Sequence, residues 1–372
     1  MSKIKVIVVL GPTSSGKSDL AVRLAKKLEK ETGKQSEIIS VDSRQIYKDM
    51  DLGTGKVEGK WKSVKINPLA IRPDDPVGRE SRAFRSASLH SKGPALLALK
   101  VRSRASYIYK NIPHHLIDFV DPTTHSQEDK KYSITNFQKD CLQLIKKINQ
   151  KNKIPILCGG TGFWISAVVD NTIFPEVKPN KKLRAELSKK SNAELFEMLK
   201  EKDPERASNI DAENKFRLIR ALEICEELGT VPKIKAKPPK NLDFLQVGLD
   251  YPVEILAEKI KKRLESRWTD GMIKEVKNLK EKYKISWEEI QAFGLAYYWI
   301  PLYLQNKILD DQKNIITDPI QAKEELIKRV YFAEKNYAKR QRTWFKRDKR
   351  IIWENDFKKI LALVKNFLTQ DN

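Results

Sequence analysis

The residues best suited to chemistry stand near the start of the chain. Gly11-Pro12-Thr13-Ser14-Ser15-Gly16-Lys17-Ser18 fits the pattern GxxxxGK[ST]. Such a loop wraps its backbone closely enough for successive N–H groups to face phosphate oxygens. A helix opening directly after it adds positive potential at the same point. Lys17 would place a charge on the terminal phosphate, and Ser18 a hydroxyl on Mg²⁺. The pattern specifies a polyphosphate rather than ATP, and a diphosphate ester fits the same cradle. Asp42 follows an apolar run and opens Asp42-Ser43-Arg44-Gln45-Ile46-Tyr47, with Asp49, Asp51 and Gly53-Thr54-Gly55-Lys56 beyond. A carboxylate at the carboxyl end of a strand lies where open α/β sheets bind ligands, and it can act as a general base. The same Asp42, or Ser43, would equally well cap a helix through Tyr47.

Those residues need strands to carry them. Lys5 to Leu10 is a β-branched run, read as a buried strand, and Gly11 to Ser18 is its loop. Asp19 to Lys30 carries Leu20, Leu24, Ala25 and Leu28 at helical spacing. Further strands are expected at Glu37 to Val41, His115 to Val120, Ile154 to Cys158 and Leu245 to Leu249. Phe137 to Asn149 and Lys215 to Leu228 read as helices. Strands alternating with helices predict an α/β fold: a P-loop nucleoside-triphosphate-hydrolase-like core with a parallel sheet. The expected organisation is a core over 1–170 and 212–251, a helical insertion over 171–211, and a basic helical region over 252–372. Prolines at 175, 179 and 204 break the insertion into short segments. The stretch at about 60–110 stands apart. It favours Arg (Arg72, Arg79, Arg82, Arg85, Arg102, Arg104) where the rest of the chain favours Lys, and Ala95 to Leu99 is its one periodic run. It reads as an inserted surface segment.

The chain has 372 residues, 40% hydrophobic and 33% charged, enough for a sizeable core. No apolar run approaches the ~20 residues of a spanning helix. Val6 to Leu10 is too short for a signal-peptide core, so the cytoplasm is expected. Cys141, Cys158 and Cys225 form no CxxC pair, and the four histidines form no HExxH. These spacings argue against a disulfide framework and a structural zinc site. The net charge of +23 suits a polyanion such as nucleic acid, or else a lysine-rich solvated surface. Between Lys328 and Arg350, ten Lys and Arg alternate with Tyr331, Phe332, Tyr337, Trp344 and Phe345. Cations for phosphates with aromatics near bases suit a structured RNA. An amphipathic helix with its aromatics in the core would read the same way, and both are expected here. Trp344 and Phe345 are expected to be partly core, with Lys339, Arg340 and Arg342 facing RNA.

Taken in order, the blocks GPTSSGKS (11–18), SVDSRQIYKDMDLGTGK (40–56), PHHLIDFVDP (113–122), YSITNFQKD (132–140), PILCGGTGFWISAVVD (155–170), RLIRALEI (217–224) and YAKRQRTWF (337–345) resemble the tRNA dimethylallyltransferases, of bacterial type. The resemblance implies transfer of a dimethylallyl group from dimethylallyl diphosphate to N6 of adenine 37 beside the anticodon of tRNA. It implies catalytic roles for Asp42, Arg217 and Thr13, and diphosphate binding by Gly11 to Ser18 with Mg²⁺ on Ser18. It further implies tRNA contacts from Asp42, Ser43, Arg44, Gln45, Thr161, Arg217, Arg220, Lys339, Arg340 and Arg342, in a monomer. On the residues alone, Arg217 and Arg220 would be solvated helix arginines. The Gly159-Gly160-Thr161-Gly162 turn would be tight strand-to-helix geometry, with Trp164 in the core. The chain departs from the family at 60–110, at Leu295-Ala296 in place of Tyr-Lys, and at Lys335 in place of Arg. Two other classes compete. One is a P-loop small-molecule kinase using ATP, with Asp42 as base. The other is an RNA-binding protein without prenyl transfer, which leaves Asp42 beside a phosphate cradle unexplained.

Overall fold

A computed structural model describes residues 3–63, 105–127 and 130–370. Its centre is a sheet built on β1 (Ile4–Leu10), whose Val6 to Leu10 are fully buried. A strand covered on both faces reads as a continuous apolar run, as this one does. Successive side chains point to opposite faces. Val6, Val8 and Leu10 therefore enter one apolar cluster, and Ile7 and Val9 another. Around β1 lie β2 (Ser36–Val41), β3 (Lys60–Ser63), β4 (Ala105–Tyr109), β5 (Ile112–His115), β6 (Ile154–Gly159), β9 (Leu242–Gly248) and β10 (Ile352–Trp353). Their order is β10-β9-β1-β6-β2-β5-β4-β3. The pairs from β10 to β5 are parallel, and β5–β4 and β4–β3 are antiparallel.

Helix α1 (Lys17–Thr32) packs Leu20, Leu24, Ala25 and Leu28 on the second face and stops at Gly33, whose φ is 69°. Helix α2 (Ile134–Gln150) covers the first face through Phe137, Cys141, Ile145 and Ile148. Ser133 starts it with a capping box to Asn136, satisfying two end groups at once. The strand expected at His115 to Val120 lies earlier, at Ile112–His115. Leu116 and Asp118 both take φ 53°, a left-handed conformation that ends a strand. Leu116, Ile117, Phe119 and Val120 are nonetheless buried, so their apolar pattern reported burial rather than extension. The segment expected at 60–110 begins and ends as β3 and β4 on the sheet edge. Its six arginines and Ala95 to Leu99 lie outside the described residues.

The insertion contains α4 (Lys181–Ser188), α5 (Asn192–Lys202), α6 (Pro204–Ala207) and α7 (Lys215–Leu228). It follows α3 (Gly162–Val169) and stands on a two-stranded ribbon, β7 (Thr172–Ile173) with β8 (Lys235–Ala236). Leu187, Leu195, Leu199, Leu218 and Leu222 form its own apolar cluster. The expected boundary at 211/212 therefore cuts through a packing unit. Helix α7 belongs with the insertion because its apolar face is buried there, and the chain re-enters the large sheet at β9.

Beyond β9 come α8 (Val253–Thr269), α9 (Met272–Tyr283), α10 (Trp287–Gln291), α11 (Ala296–Leu304), α12 (Pro319–Phe345) and α13 (Phe357–Thr369). Helices α8 to α12 bury their apolar stripes with Val6 and Val8, while α13 joins α1 on the other face. The basic region is thus folded onto the core. Among the described residues, no helix is long and apolar enough to cross a membrane.

One charged group holds the sheet at β2. Glu37 is buried, 2.7 Å from His115 Nε2 and 2.8 Å from Lys153 Nζ. Burial alone would raise its pKa, but these two partners outweigh it and hold the carboxyl at about 2. A depressed carboxyl contributes stability above its unfolded pKa and loses it as pH falls towards the folded value. Thermal melts should therefore show Glu37→Gln losing less stability than the parent between about pH 5 and about pH 3.

Candidate active site

The phosphate loop joins β1 to α1. Gly16 has φ 86°, which a side chain would resist, and the helix starts at the next residue. The first N–H groups of a helix have no carbonyl within it to bond, so they are open to an anion. The Ser14 and Ser15 hydroxyls are buried and, among the described residues, unpartnered. Lys17 Nζ reaches back to the Pro12 carbonyl at 3.2 Å. Burial lowers its pKa, Arg263 adds to that, and Cys158 and Asp42 oppose it.

Asp42 sits just past the end of β2. Its Oδ1 accepts from the amides of Arg44 at 2.9 Å and Gln45 at 3.3 Å. The capping expectation is met by a turn over 43–46 rather than a helix. One oxygen fixes the turn, and the residue also lines a cleft of about 290 Å³ together with Lys17 and Ser18. Ser43 and Thr161 come together from separate segments, the Ser43 amide donating to Thr161 Oγ1 at 3.1 Å. Arg44 donates through Nε to the Phe293 carbonyl at 2.9 Å, with its guanidinium 4.9 Å from the Tyr337 ring centre. Gln45 donates to the Gly55 carbonyl at 3.1 Å, tying DSRQIY to the 53–56 turn.

The opposite wall comes from the C-terminal helices. Gln341 accepts from the Thr13 amide at 2.8 Å and donates to the Gly160 carbonyl at 2.8 Å. Helix α12 thus clamps the phosphate loop to the GGTG turn. A Cβ on Gly160 would lie 2.4 Å from Gln341 Nε2, so a side chain there would displace the Gln341 amide from this clamp. The Thr13 amide is therefore already engaged. The Thr13 hydroxyl accepts from Arg263 Nη2 at 2.5 Å. That arginine also donates to Glu334 at 3.0 Å, and Arg267 donates to the other Glu334 oxygen at 2.7 Å. Burial, then the neighbouring Arg267, lower the Arg263 pKa to about 10 against the pull of Glu334.

Arg263, Arg267, Glu334 and Gln341 were not among the residues expected from the sequence. Their signal was nevertheless present. The buried stripe of α12 runs Leu326, Val330, Glu334, Ala338, Gln341, Phe345. Two polar residues in a 3.6-period apolar stripe mark positions that must find buried partners. Arg263 and Arg267 are four apart, on one face of α8.

Other expected residues lie elsewhere. Arg217, largely exposed and 3.9 Å from Asp211, is not among the residues lining the cleft. Arg220 is engaged within the insertion, with Glu223 and with the Val177 carbonyl at 3.0 Å. Glu223 also takes Arg184, at 2.8 and 2.6 Å. Arg342, expected to face RNA, forms a forked pair with Asp250 at 2.7 and 3.1 Å. Lys339 and Arg340 are exposed on α12, and Trp344 is 39% exposed while Phe345 is 2%. Trp164 is core, 4.4 Å from Phe137 between ring centres.

A family model described as IPP transferase matches residues 103–348. A tRNA dimethylallyltransferase of Finegoldia magna is 34% identical over 359 residues, covering 94% of this chain and 91% of that protein. The chain belongs to the IPP transferase family. Within it, tRNA dimethylallyltransferase 2 of Treponema denticola is also 34% identical, over 92% of this chain and 91% of that protein. Among solved structures, a Staphylococcus epidermidis tRNA delta(2)-isopentenylpyrophosphate transferase is 25% identical with a TM-score of 0.56. That match covers 98% of this chain and 99% of the other. A eukaryotic dimethylallyltransferase acting on tRNA, 23% identical, shares the fold at a TM-score of 0.65 over 99% of this chain and 80% of its own. Membership in this family gives the α/β core and its mostly parallel sheet their setting: the phosphate loop faces a wall that helices α8 and α12 supply.

Proposed function

We propose that this IPP transferase moves a dimethylallyl group from dimethylallyl diphosphate to N6 of adenine 37 of tRNA and releases diphosphate. The observation that carries the reading is that Lys17 and Ser18 of the phosphate loop line the same cleft as Asp42. Adenine N6 is a weak nucleophile and must leave the base stack to reach the cleft. Its lone pair forms the bond to the allylic carbon as the carbon–oxygen bond breaks. The electron pair goes to a diphosphate oxygen, and the N6 proton goes to the Asp42 carboxylate. Lys17 and the amides opening α1 meet the charge that grows on the leaving group. Thr13, held by Gln341 and Arg263, fixes the loop. Ser43, Arg44, Gln45 and Thr161 line the approach of the base, and Lys339 and Arg340 meet tRNA phosphates.

The donor set suits a magnesium ion. Mg²⁺ takes oxygen ligands, few of them from protein when phosphates are present. Ser18, with Asp19 beside it on the cleft, would hold it, and it would neutralise diphosphate charge. Among the described residues, no cluster of three His, Cys, Asp or Glu offers another metal site. The protein would act as a monomer in the cytoplasm. A small-molecule kinase is not favoured, since nothing in that reading employs the basic helices. Diphosphate release from dimethylallyl diphosphate, dependent on added tRNA, separates the two. ATP turnover with no tRNA-dependent diphosphate release would reverse the choice.

The DLGTG turn is held from α9. Glu275 accepts from the amides of Asp51, Leu52 and Gly53 at 2.8, 2.6 and 3.0 Å, and from Tyr297 Oη at 2.7 Å. Small misplacements near reacting groups cost about 10²-fold in rate. Steady-state kinetics should show Glu275→Ala lowering turnover by about 10- to 100-fold. Glu275→Gln, which keeps an acceptor, should lose less.

A further inference from the structure

The cluster around Glu334 contains more positive charge than it balances. Arg263 and Arg267 share one carboxylate, and Arg267 is 5% and Glu334 1% exposed. Arg267 Nη1 is taken by Glu334, but Nη2 is buried and, among the described residues, has no hydrogen-bond partner. A buried charged donor without an acceptor is costly. Both arginines nevertheless line the cleft. A Cβ on Gly55 would lie 2.1 Å from Arg267 Nη2 and 3.3 Å from Arg263 Nη1, so both guanidinium groups pack directly on this glycine. Gly55 has φ 63° and lines the cleft with Arg263, Arg267 and Lys17. The sequence therefore keeps a side chain out at the point where two cations converge.

We propose that Arg267 Nη2, with Arg263 Nη1, forms a second anion subsite facing the phosphate loop and donates to the diphosphate oxygens of the prenyl donor and of the released product. Glu334 holds both forks in place and leaves one net positive charge for the ligand. This assignment rests on the diphosphate reading of the cleft and adds the wall opposite the phosphate loop.

The test is calorimetric titration with inorganic pyrophosphate and Mg²⁺, and separately with tRNA. Arg267→Met combined with Glu334→Gln removes one charge of each sign and leaves no orphaned carboxylate. Arg267→Lys keeps the charge and a donor for Glu334 but loses the planar fork. Loss of a charge-assisted hydrogen bond should weaken pyrophosphate binding about 10- to 100-fold in the double variant, and in the same direction in Arg267→Lys. Binding of tRNA should stay within about twofold, while thermal melts report folding. Pyrophosphate affinity within about twofold of the parent in both variants would overturn the subsite. Weakened tRNA binding with unchanged pyrophosphate binding would overturn it too, placing Arg267 against RNA phosphates. A parent that binds no pyrophosphate would instead sink the diphosphate reading of the cleft, and the subsite with it.

Discussion

Asp42→Ala lowers the rate of prenyl transfer by about two to four orders of magnitude, the range over which a positioned base acts, while tRNA affinity changes little. Asp42 has two duties, and a second variant separates them. Its Oδ1 holds the amides of Arg44 and Gln45. Losing such a cap costs about 1 kcal/mol, too little for the expected loss of rate. Asp42→Asn keeps a carbonyl oxygen for the turn and removes the proton acceptor. Single-turnover rates at saturating donor and tRNA should therefore fall comparably in both variants, with the Asn variant melting at nearly the parent temperature. A fully active Asp42→Asn variant would assign Asp42 to the turn alone. Full activity in both would remove it from the mechanism.

The largest expected loss of stability is at Glu334. Two guanidinium groups depend on this carboxylate, at 3.0 and 2.7 Å. Removing one side of a buried ion pair costs about 3–5 kcal/mol, because the remaining charge is stranded. Glu334→Ala strands two arginines and opens a cavity, so it falls at the upper end. With an unfolding entropy of about 2.1 cal/mol/K per residue, a chain of 372 residues shifts by about 1.3 °C per kcal/mol, so the midpoint should drop by about 6 °C. Removing Arg267 together with the carboxylate, as in Arg267→Met with Glu334→Gln, should recover part of that loss, because one guanidinium group rather than two is then left without its counter-charge. Differential scanning calorimetry of the single and double variants checks this. A Glu334→Ala melt at the parent temperature would mean that the cluster contributes nothing to the fold.

Much of the site was legible because local chemistry dictated it. The loop at 11–18, the strand before it and the helix after it follow from glycine placement and apolar spacing. Asp42 was legible by its place at a strand end, and the structure confirms that it sits both at a turn and on the cleft. The wall that completes the cleft was less legible, because it is assembled from helices far away in the chain. Gln341 meets Thr13 across 328 residues, and Arg263 meets it across 250. Nothing in local spacing pairs them. Only the polar interruptions of the α12 stripe hinted at a buried partner. The strand placed at 115–120 failed for a different reason: its apolar residues are core, but two left-handed residues turn the chain. That α7 packs with the insertion was not legible either, because a helix with one apolar face does not announce which neighbour will cover it. The pairing of Arg342 with Asp250 was not legible either, since the two lie 92 residues apart.

The protein is incubated with Mg²⁺, dimethylallyl diphosphate and an unmodified tRNA bearing adenines at 36, 37 and 38. The tRNA is then digested to nucleosides and analysed by mass spectrometry. One added dimethylallyl group on adenosine is expected, lost when adenine 37 is replaced and strongly reduced with Asp42→Asn. Folded protein that leaves this tRNA unmodified, or product that persists without adenine 37, would contradict prenyl transfer to adenine 37.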